Sequence, residues 1–364
     1  MCKYGPRFDI AIDKVFKMKF GVRKGFIIAL SIISMITLVY VICGFTIGAN
    51  NNTPPYVAMV SSYITTILFI VILILIFKGN KYRKLYDYCI SRSIKCAEYL
   101  KEDSKALKEE FKQKLKIKDK EWTINKINEY YDIIEELKTQ HINNEKNLVT
   151  KDKESKFDGH LIQLIGWLLL GGLVTICTLG IGFPIAYCWV LKWYYKHSIY
   201  DGKRVSFDGK PSQLIGKWIK WIILCIPTLG LYIFVIPKNL MQWRASHTHL
   251  EGELPFLGGY FTANAIGYFF MRILFNLLYL LSFVIFVPFI ISFKNRYLLK
   301  HTVVDGRILK FTGHGANLLG RFLLWSLLSV ITLSIYSWFI PMRFARWINK
   351  HTHLKEEYYE LKVK

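Results

Sequence analysis

HSIYDGKRVSFDG, residues 197–209, returns 104 residues later as HTVVDGRILKFTG, residues 301–313. The match extends outward from this pair. Residues 207–250 and 311–354 align without a gap, and sixteen of the forty-four positions are identical. Leucine and isoleucine match by chance in apolar sequence. The aligned Gly209/Gly313, Trp221/Trp325, Tyr232/Tyr336, Pro237/Pro341 and Trp243/Trp347 do not, nor does the shared HTHL at 247–250 and 351–354. A fixed period of this kind marks an internal duplication.

A shorter period lies inside the long one. FDG at 157–159, FDG at 207–209 and FTG at 311–313 each begin a unit. Thr-Leu follows 21 residues after each Phe, at Thr178, Thr228 and Thr332, and His follows 40 residues after it, at His197, His247 and His351. Phe261 starts a weaker copy, with Ser282 at the Thr position and His301 at the His position. Pro184 and Pro288 relate the first unit to the third, and Pro237 and Pro341 relate the second to the fourth. The chain therefore holds four units arranged as a duplicated pair.

Composition sets the expected class. Of the 364 residues 52% are apolar, with 25 Phe, 22 Tyr and 10 Trp, and the mean hydropathy is positive. Apolar runs of membrane-spanning length settle the class, so the sequence reads as a polytopic membrane protein. The net charge of +23 then reflects topological bias rather than a nucleic-acid partner. The seven cysteines have no CxxC or metal-type spacing, and Cys177, Cys188 and Cys225 read as small buried apolar residues.

In chain order, Phe8, Ile12, Val15, Phe16 and Phe20 share one helical face, which suits a surface helix or the basic flank of a first span. Residues 25–49 and 56–77 read as two spans. Residues 78–156 carry fifteen acidic and twenty basic residues, with apolar stripes through Leu100, Leu107, Phe111 and Leu115 and through Ile124, Ile127, Tyr131, Ile134 and Leu137. That pattern predicts a cytoplasmic hairpin of two amphipathic helices, with Thr123 as a cap, or a coiled coil with a second copy.

Each repeat unit then reads as a helical hairpin. Asp158, Asp208, Thr262 and Thr312 are candidate helix caps, and aromatic-basic stretches end the return helices. The Asp-Gly pairs at 201–202 and 305–306 suit tight turns linking the units. The five outer turns, within 45–56, 175–188, 223–237, 277–293 and 326–342, contain no Lys, Arg, Asp or Glu. The expected fold is thus all-α, with about ten transmembrane helices in the bacterial inner membrane and both termini cytoplasmic. Its expected divisions are 1–78, 79–156, 157–254 and 255–364.

The succession F-[DT]-G, apolar helix, T-L-[GS]-[IL], aromatic-basic helix end, D-G and F-x-G resembles the YjgN-like bacterial inner-membrane family over residues 157–354. The third unit departs from it, with Ala263 for Gly and Ser282-Phe283 for Thr-Leu. The resemblance implies a membrane fold of unknown function, and it carries over no catalytic residues.

Candidate chemistry is sparse. Lys217, Lys220, Arg272 and Arg321 lie on the first helices of their units and are candidates to bind an anionic solute or a lipid headgroup. Interior placement is expected for Arg272, whose neighbours Phe270, Met271, Ile273 and Leu274 are apolar. The repeated His247, His249, His351 and His353 are weak metal-site candidates, because no acidic or Cys partner recurs beside them. No phosphate loop, nucleophile elbow, HExxH motif or carboxylate pair appears, so neither an enzyme nor a cofactor is expected. Two readings of function remain. One is a transporter or pore for a small, anionic solute. The other is a non-transporting membrane scaffold or sensor acting through 79–156. The expected partners are membrane lipids, anionic ones among them, and a second copy or another protein on the hairpin, with no nucleic acid.

Overall fold

The two Asp-Gly turns show how the chain is built. In a computed structural model, the described residues are 2–4, 6–17, 81–147, 154–226, 230–282 and 286–359. Asp201 and Gly202 have φ of 47° and 80°, and Asp305 and Gly306 have φ of 42° and 80°. Both central residues are left-handed, as a type I′ turn requires, and Asp and Gly are the residues that tolerate this. The turns join β2 (Ser198–Tyr200) to β3 (Lys203–Phe207) and β6 (Thr302–Val304) to β7 (Arg307–Phe311).

Around each turn the chain adds two outer strands. The first antiparallel sheet has the order β1-β2-β3-β4, with β1 at Lys156–Phe157 and β4 at Thr248–Leu250. The second has the order β5-β6-β7-β8, with β5 at Tyr260–Phe261 and β8 at Thr352–Tyr358. Registers repeat at 104 residues: Phe157 pairs with Ser198 and Phe261 with Thr302, while Phe207 pairs with Thr248 and Phe311 with Thr352.

The helices are inserted between the strands as hairpins. Numbered after the four N-terminal helices described below, α5 (Leu161–Cys177) and α6 (Phe183–Lys196) lie between β1 and β2. α7 (Pro211–Cys225) and α8 (Ile236–Ser246) lie between β3 and β4. The second half repeats this with α9 (Ala265–Leu281), α10 (Val287–Lys300), α11 (Gly315–Ile331) and α12 (Ile340–Lys350).

Local chemistry explains the repeated residues. Phe157, Phe207 and Phe311 stand edge-on against Trp193, Trp243 and Trp347, with ring centroids 5.7, 5.5 and 5.5 Å apart. A Cβ on Gly209 would lie 2.5 Å from the Phe207 ring and 3.0 Å from Trp243, so the aromatic pair excludes any side chain there. In the third unit Ala263 stands at the glycine position and is buried, Tyr297 stands at the tryptophan position, and Phe261 packs edge-on against Tyr268 instead, with ring centroids 5.3 Å apart. Two of the Thr-Leu ends, at Thr178 and Thr332, are held by the threonine hydroxyl. Thr332 donates to Leu328 O at 2.7 Å and accepts from Tyr336 N at 3.0 Å. Thr178 does the same between Val174 O and Gly182 N, both at 2.7 Å.

The N-terminal part forms a helical bundle: α1 (Pro6–Lys17), α2 (Lys81–Tyr99), α3 (Ser104–Ile117) and α4 (Lys120–Asn147). Phe8, Ile12 and Val15 are fully buried, so the apolar face of α1 is covered by α2 and α4 rather than lying on a membrane surface. The charged region is three helices rather than two. Asp103 caps α3 by accepting from Lys105 N and Ala106 N at 3.0 Å. Asp119, not Thr123, caps α4 by accepting from Trp122 N at 3.1 Å. Phe256 and Leu257, between the two halves, insert into this bundle and are 1% exposed.

The expected membrane architecture is corrected. No helix among the described residues is long and apolar enough to cross a membrane. The apolar runs that suggested spans divide into helices of 11–17 residues, and two antiparallel sheets lie between them. Seventeen residues rise only ~25 Å, against a hydrocarbon core of ~30 Å. The all-α ten-span fold, the inner-membrane location and the inside-outside orientation built on it therefore do not stand. The spans expected at 25–49 and 56–77 lie outside the described residues. The helix hairpins do leave large apolar side chains exposed, including Leu179, Leu333 and Ile162. The N-cap positions are not the expected Asp158, Asp208, Thr262 and Thr312 but His160, Lys210, Asn264 and His314, each two residues later.

Candidate functional site: a reciprocal clasp and the charged cleft beside it

The repeated D-G and H-T-H-L motifs meet each other across the two halves. Asp305, in the second half, accepts from His249 Nδ1 at 2.9 Å and from Leu250 N at 2.8 Å. Asp201, in the first half, accepts from His353 Nδ1 at 2.7 Å and Leu354 N at 2.6 Å. Position i of one half thus contacts j of the other, and j contacts i. That reciprocity is the mark of an approximate twofold relation. Asp305 is fully buried and Asp201 is held further by Ser155, whose hydroxyl donates to it at 3.1 Å. The Asp305 hydrogen bond raises the His249 pKa against the opposing effect of burial.

The residue after each Asp-Gly turn builds the adjoining cleft. Lys203 and Arg307 are equivalent across the duplication, and both reach the carboxylate of Glu253, at 2.5 and 3.0 Å. Glu145, in the last turn of α4, bridges the same two cations; its contact with Arg307 is 2.5 Å. The Arg307 guanidinium stacks 4.1 Å from the centre of the Tyr358 ring. The Tyr358 hydroxyl donates to Glu253 at 3.0 Å and lies 3.0 Å from His141 Nδ1. His141 Nε2 closes the network onto Gly252 O at 2.7 Å.

Burial grades this network. The Glu253 side chain is 0% exposed and that of Arg307 4%, whereas Glu145 keeps 34%. Burial pushes the Glu145 carboxyl up, but the Lys203 hydrogen bond and the Arg307 charge outweigh it and hold the group below its ordinary value. Burial works against the Arg307 charge, and Glu253 and its neighbours restore it, leaving the guanidinium pKa raised. The cleft has a volume of about 700 Å³, and Glu251, Lys355 and Glu356 also line it.

The cations singled out from sequence lie elsewhere. Lys217 and Lys220 on α7, Arg272 on α9 and Arg321 on α11 are all exposed, and none lines this cleft. Arg272 therefore does not have the interior placement expected from its apolar neighbours. The repeated histidines have structural partners. His197, His247 and His351 each turn Nδ1 to the carbonyl four residues back, Trp193, Trp243 and Trp347, at 2.8–2.9 Å. They close the C-termini of α6, α8 and α12. His249 and His353 form the clasp. No group of three or more His, Cys, Asp or Glu among the described residues is placed to hold a metal ion. Of the three cysteines read as buried, only Cys188 is; Cys177 is exposed.

The Asp-Gly and HTHL motifs are separate in the sequence and meet only in the fold. Their shared 104-residue period was the available signal that they act together. Glu145 and His141 carried no such signal, because they lie outside the repeat. No family model matches the chain, and neither a curated protein nor a solved structure matches it.

Proposed function

We propose that the protein is a solute-responsive scaffold, a binding module without a catalytic step, in which the N-terminal bundle is latched to the duplicated halves through the charged cleft. The observation that carries this reading is Glu145. It is the most exposed member of the quartet, it belongs to the bundle, and it occupies two cations supplied by equivalent positions of the two halves. A small solute carrying a carboxylate or phosphate competes with Glu145 for Lys203 and Arg307, the bidentate recognition to which a guanidinium is suited. The acidic Glu251 and Glu356 on the cleft wall favour a solute that also carries an amine. Occupancy then frees the end of α4, and the bundle reports it to a partner. A carrier or pore needs a spanning path, and no helix among the described residues is long and apolar enough to provide one.

Calorimetric titration of the full chain with glutamate, glycine, lysine and inorganic phosphate tests this. Saturable binding is expected for a compound with a carboxylate or phosphate. Arg307→Gln should abolish it, and Glu145→Gln should tighten it by removing the internal competitor. Hydrogen exchange of residues 141–147 should rise on binding. Absence of binding by every compound, or equal affinity in wild type and both variants, would sink the proposal.

A further inference from the structure

A second cavity, of about 230 Å³, lies between the two halves. Equivalent residues line it from both sides: Thr248 and Thr352 are 104 positions apart, and both face it. Its two walls nonetheless differ in chemistry. Tyr195, Tyr200 and Arg244 of the first half stand where Leu299, Val304 and Ile348 stand in the second. One wall is therefore polar and cationic, and the other is aliphatic.

Arg244 is the charged group of this cavity. Its Nε donates to the Tyr195 hydroxyl at 2.6 Å, and the guanidinium lies 5.4 Å from the centre of that ring. Tyrosines are its surroundings, and among the described residues it forms no ion pair. Arg244 is half-buried, so its guanidinium is partly withdrawn from water without a counter-charge, an arrangement that is ordinarily avoided by pairing. The duplication makes this more pointed, because isoleucine serves at the same place in the other half. The volume corresponds to roughly eight waters at ~30 Å³ each, enough for a short-chain or single-ring carboxylate.

We infer that this cavity is a binding site for a small monoanion with an apolar body, its carboxylate paired with Arg244 and its hydrocarbon part against Leu299, Val304 and Ile348. Tyr195 fixes the guanidinium through Nε and Tyr187 also hydrogen-bonds it, and the donors that remain face a carboxylate, for which a guanidinium is suited. The aliphatic wall makes a symmetric inorganic anion a poor occupant. This site is separate from the charged cleft, shares no residue with it, and stands whether or not the cleft binds a solute.

The test is calorimetric titration of the full chain with benzoate, benzamide and inorganic phosphate. Benzoate is expected to bind saturably at one site per chain, at least tenfold more tightly than benzamide or phosphate. Arg244→Ile copies the residue already accepted in the other half and should weaken benzoate binding at least tenfold. Lys220→Gln, which removes an exposed cation elsewhere, should leave it unchanged. If circular dichroism shows that Arg244→Ile does not fold, Arg244→Lys and Tyr195→Phe take its place, each expected to weaken binding severalfold. No saturable benzoate binding overturns the inference, as does equal binding of benzamide or phosphate, or wild-type affinity in the folded Arg244 and Tyr195 variants.

Discussion

Asp305→Asn is the most direct probe of how the halves are joined. The substitution keeps the side-chain shape, and asparagine accepts the left-handed backbone at φ 42° at least as well as aspartate. Only the charge and one acceptor change. Asp305 is fully buried and receives two donors, His249 Nδ1 and Leu250 N. The asparagine oxygen serves one of them, and its amide turns a donor toward the other. One charge-assisted bond is lost, worth about 1.5–3 kcal/mol, and a buried donor is left unmet at about 1–3 kcal/mol. These overlap, so the expected loss is about 2–4 kcal/mol. The counterpart Asp201→Asn should cost less, about 1–2 kcal/mol, because His353 keeps 35% exposure and water replaces part of what is lost. Urea titration of the full chain, followed by tryptophan fluorescence, measures both. A loss below about 0.5 kcal/mol for Asp305→Asn, or equal losses for the two variants, would refute the buried clasp as the principal junction.

The same pair sets a pH dependence. His249 has a folded-state pKa raised above its unfolded value by Asp305, with Asp208 adding to the effect and burial and Lys95 opposing it. Its contribution is fully present below the unfolded value of ~6.5 and is lost as pH rises through the folded value. The stability difference between wild type and Asp305→Asn should therefore shrink from pH 6 to pH 8, and a constant difference would contradict this. His247 and His301 are lowered by burial, so their contributions are instead lost as pH falls, but they cancel in the difference. Glycines separate along another line: Gly209→Ala should destabilise by about 1–3 kcal/mol through overlap with Phe207 and Trp243. Gly216→Ala, on α7 with open space around it, should stabilise by about 0.5–1 kcal/mol in the same thermal or urea measurement. Thr332→Val should cost about 1 kcal/mol by removing the hydroxyl that bridges Leu328 O and Tyr336 N, and an unchanged midpoint would show that water substitutes there.

The sequence by itself determined the repeat, its turns and the bounds of its helices. The 104-residue period places α9 and α10 at the bounds of α5 and α6, residue for residue. Asp-Gly at 201–202 and 305–306 favours type I′ hairpins because Asp tolerates the first left-handed position and Gly the second. Phe, Gly and Trp at fixed spacing record an aromatic contact that leaves no room for a Cβ. Hydropathy misled where it was read as a solvent: apolar runs show that a surface prefers to leave water, not what will cover it. The face of α1 through Phe8 and Ile12 is covered by α2 and α4, and that depended on residues at least seventy positions away. Strand pairs of two or three residues, such as Lys156–Phe157, are too short to leave an alternating pattern and exist only because a neighbour supplies the ladder. Tertiary structure alone decided that Asp201 meets His353, that Asp305 meets His249, and that Glu145 enters between Lys203 and Arg307. These contacts span up to 162 residues. A charge pattern along a chain carries no distance, whereas Coulomb and hydrogen-bond energies depend on little else.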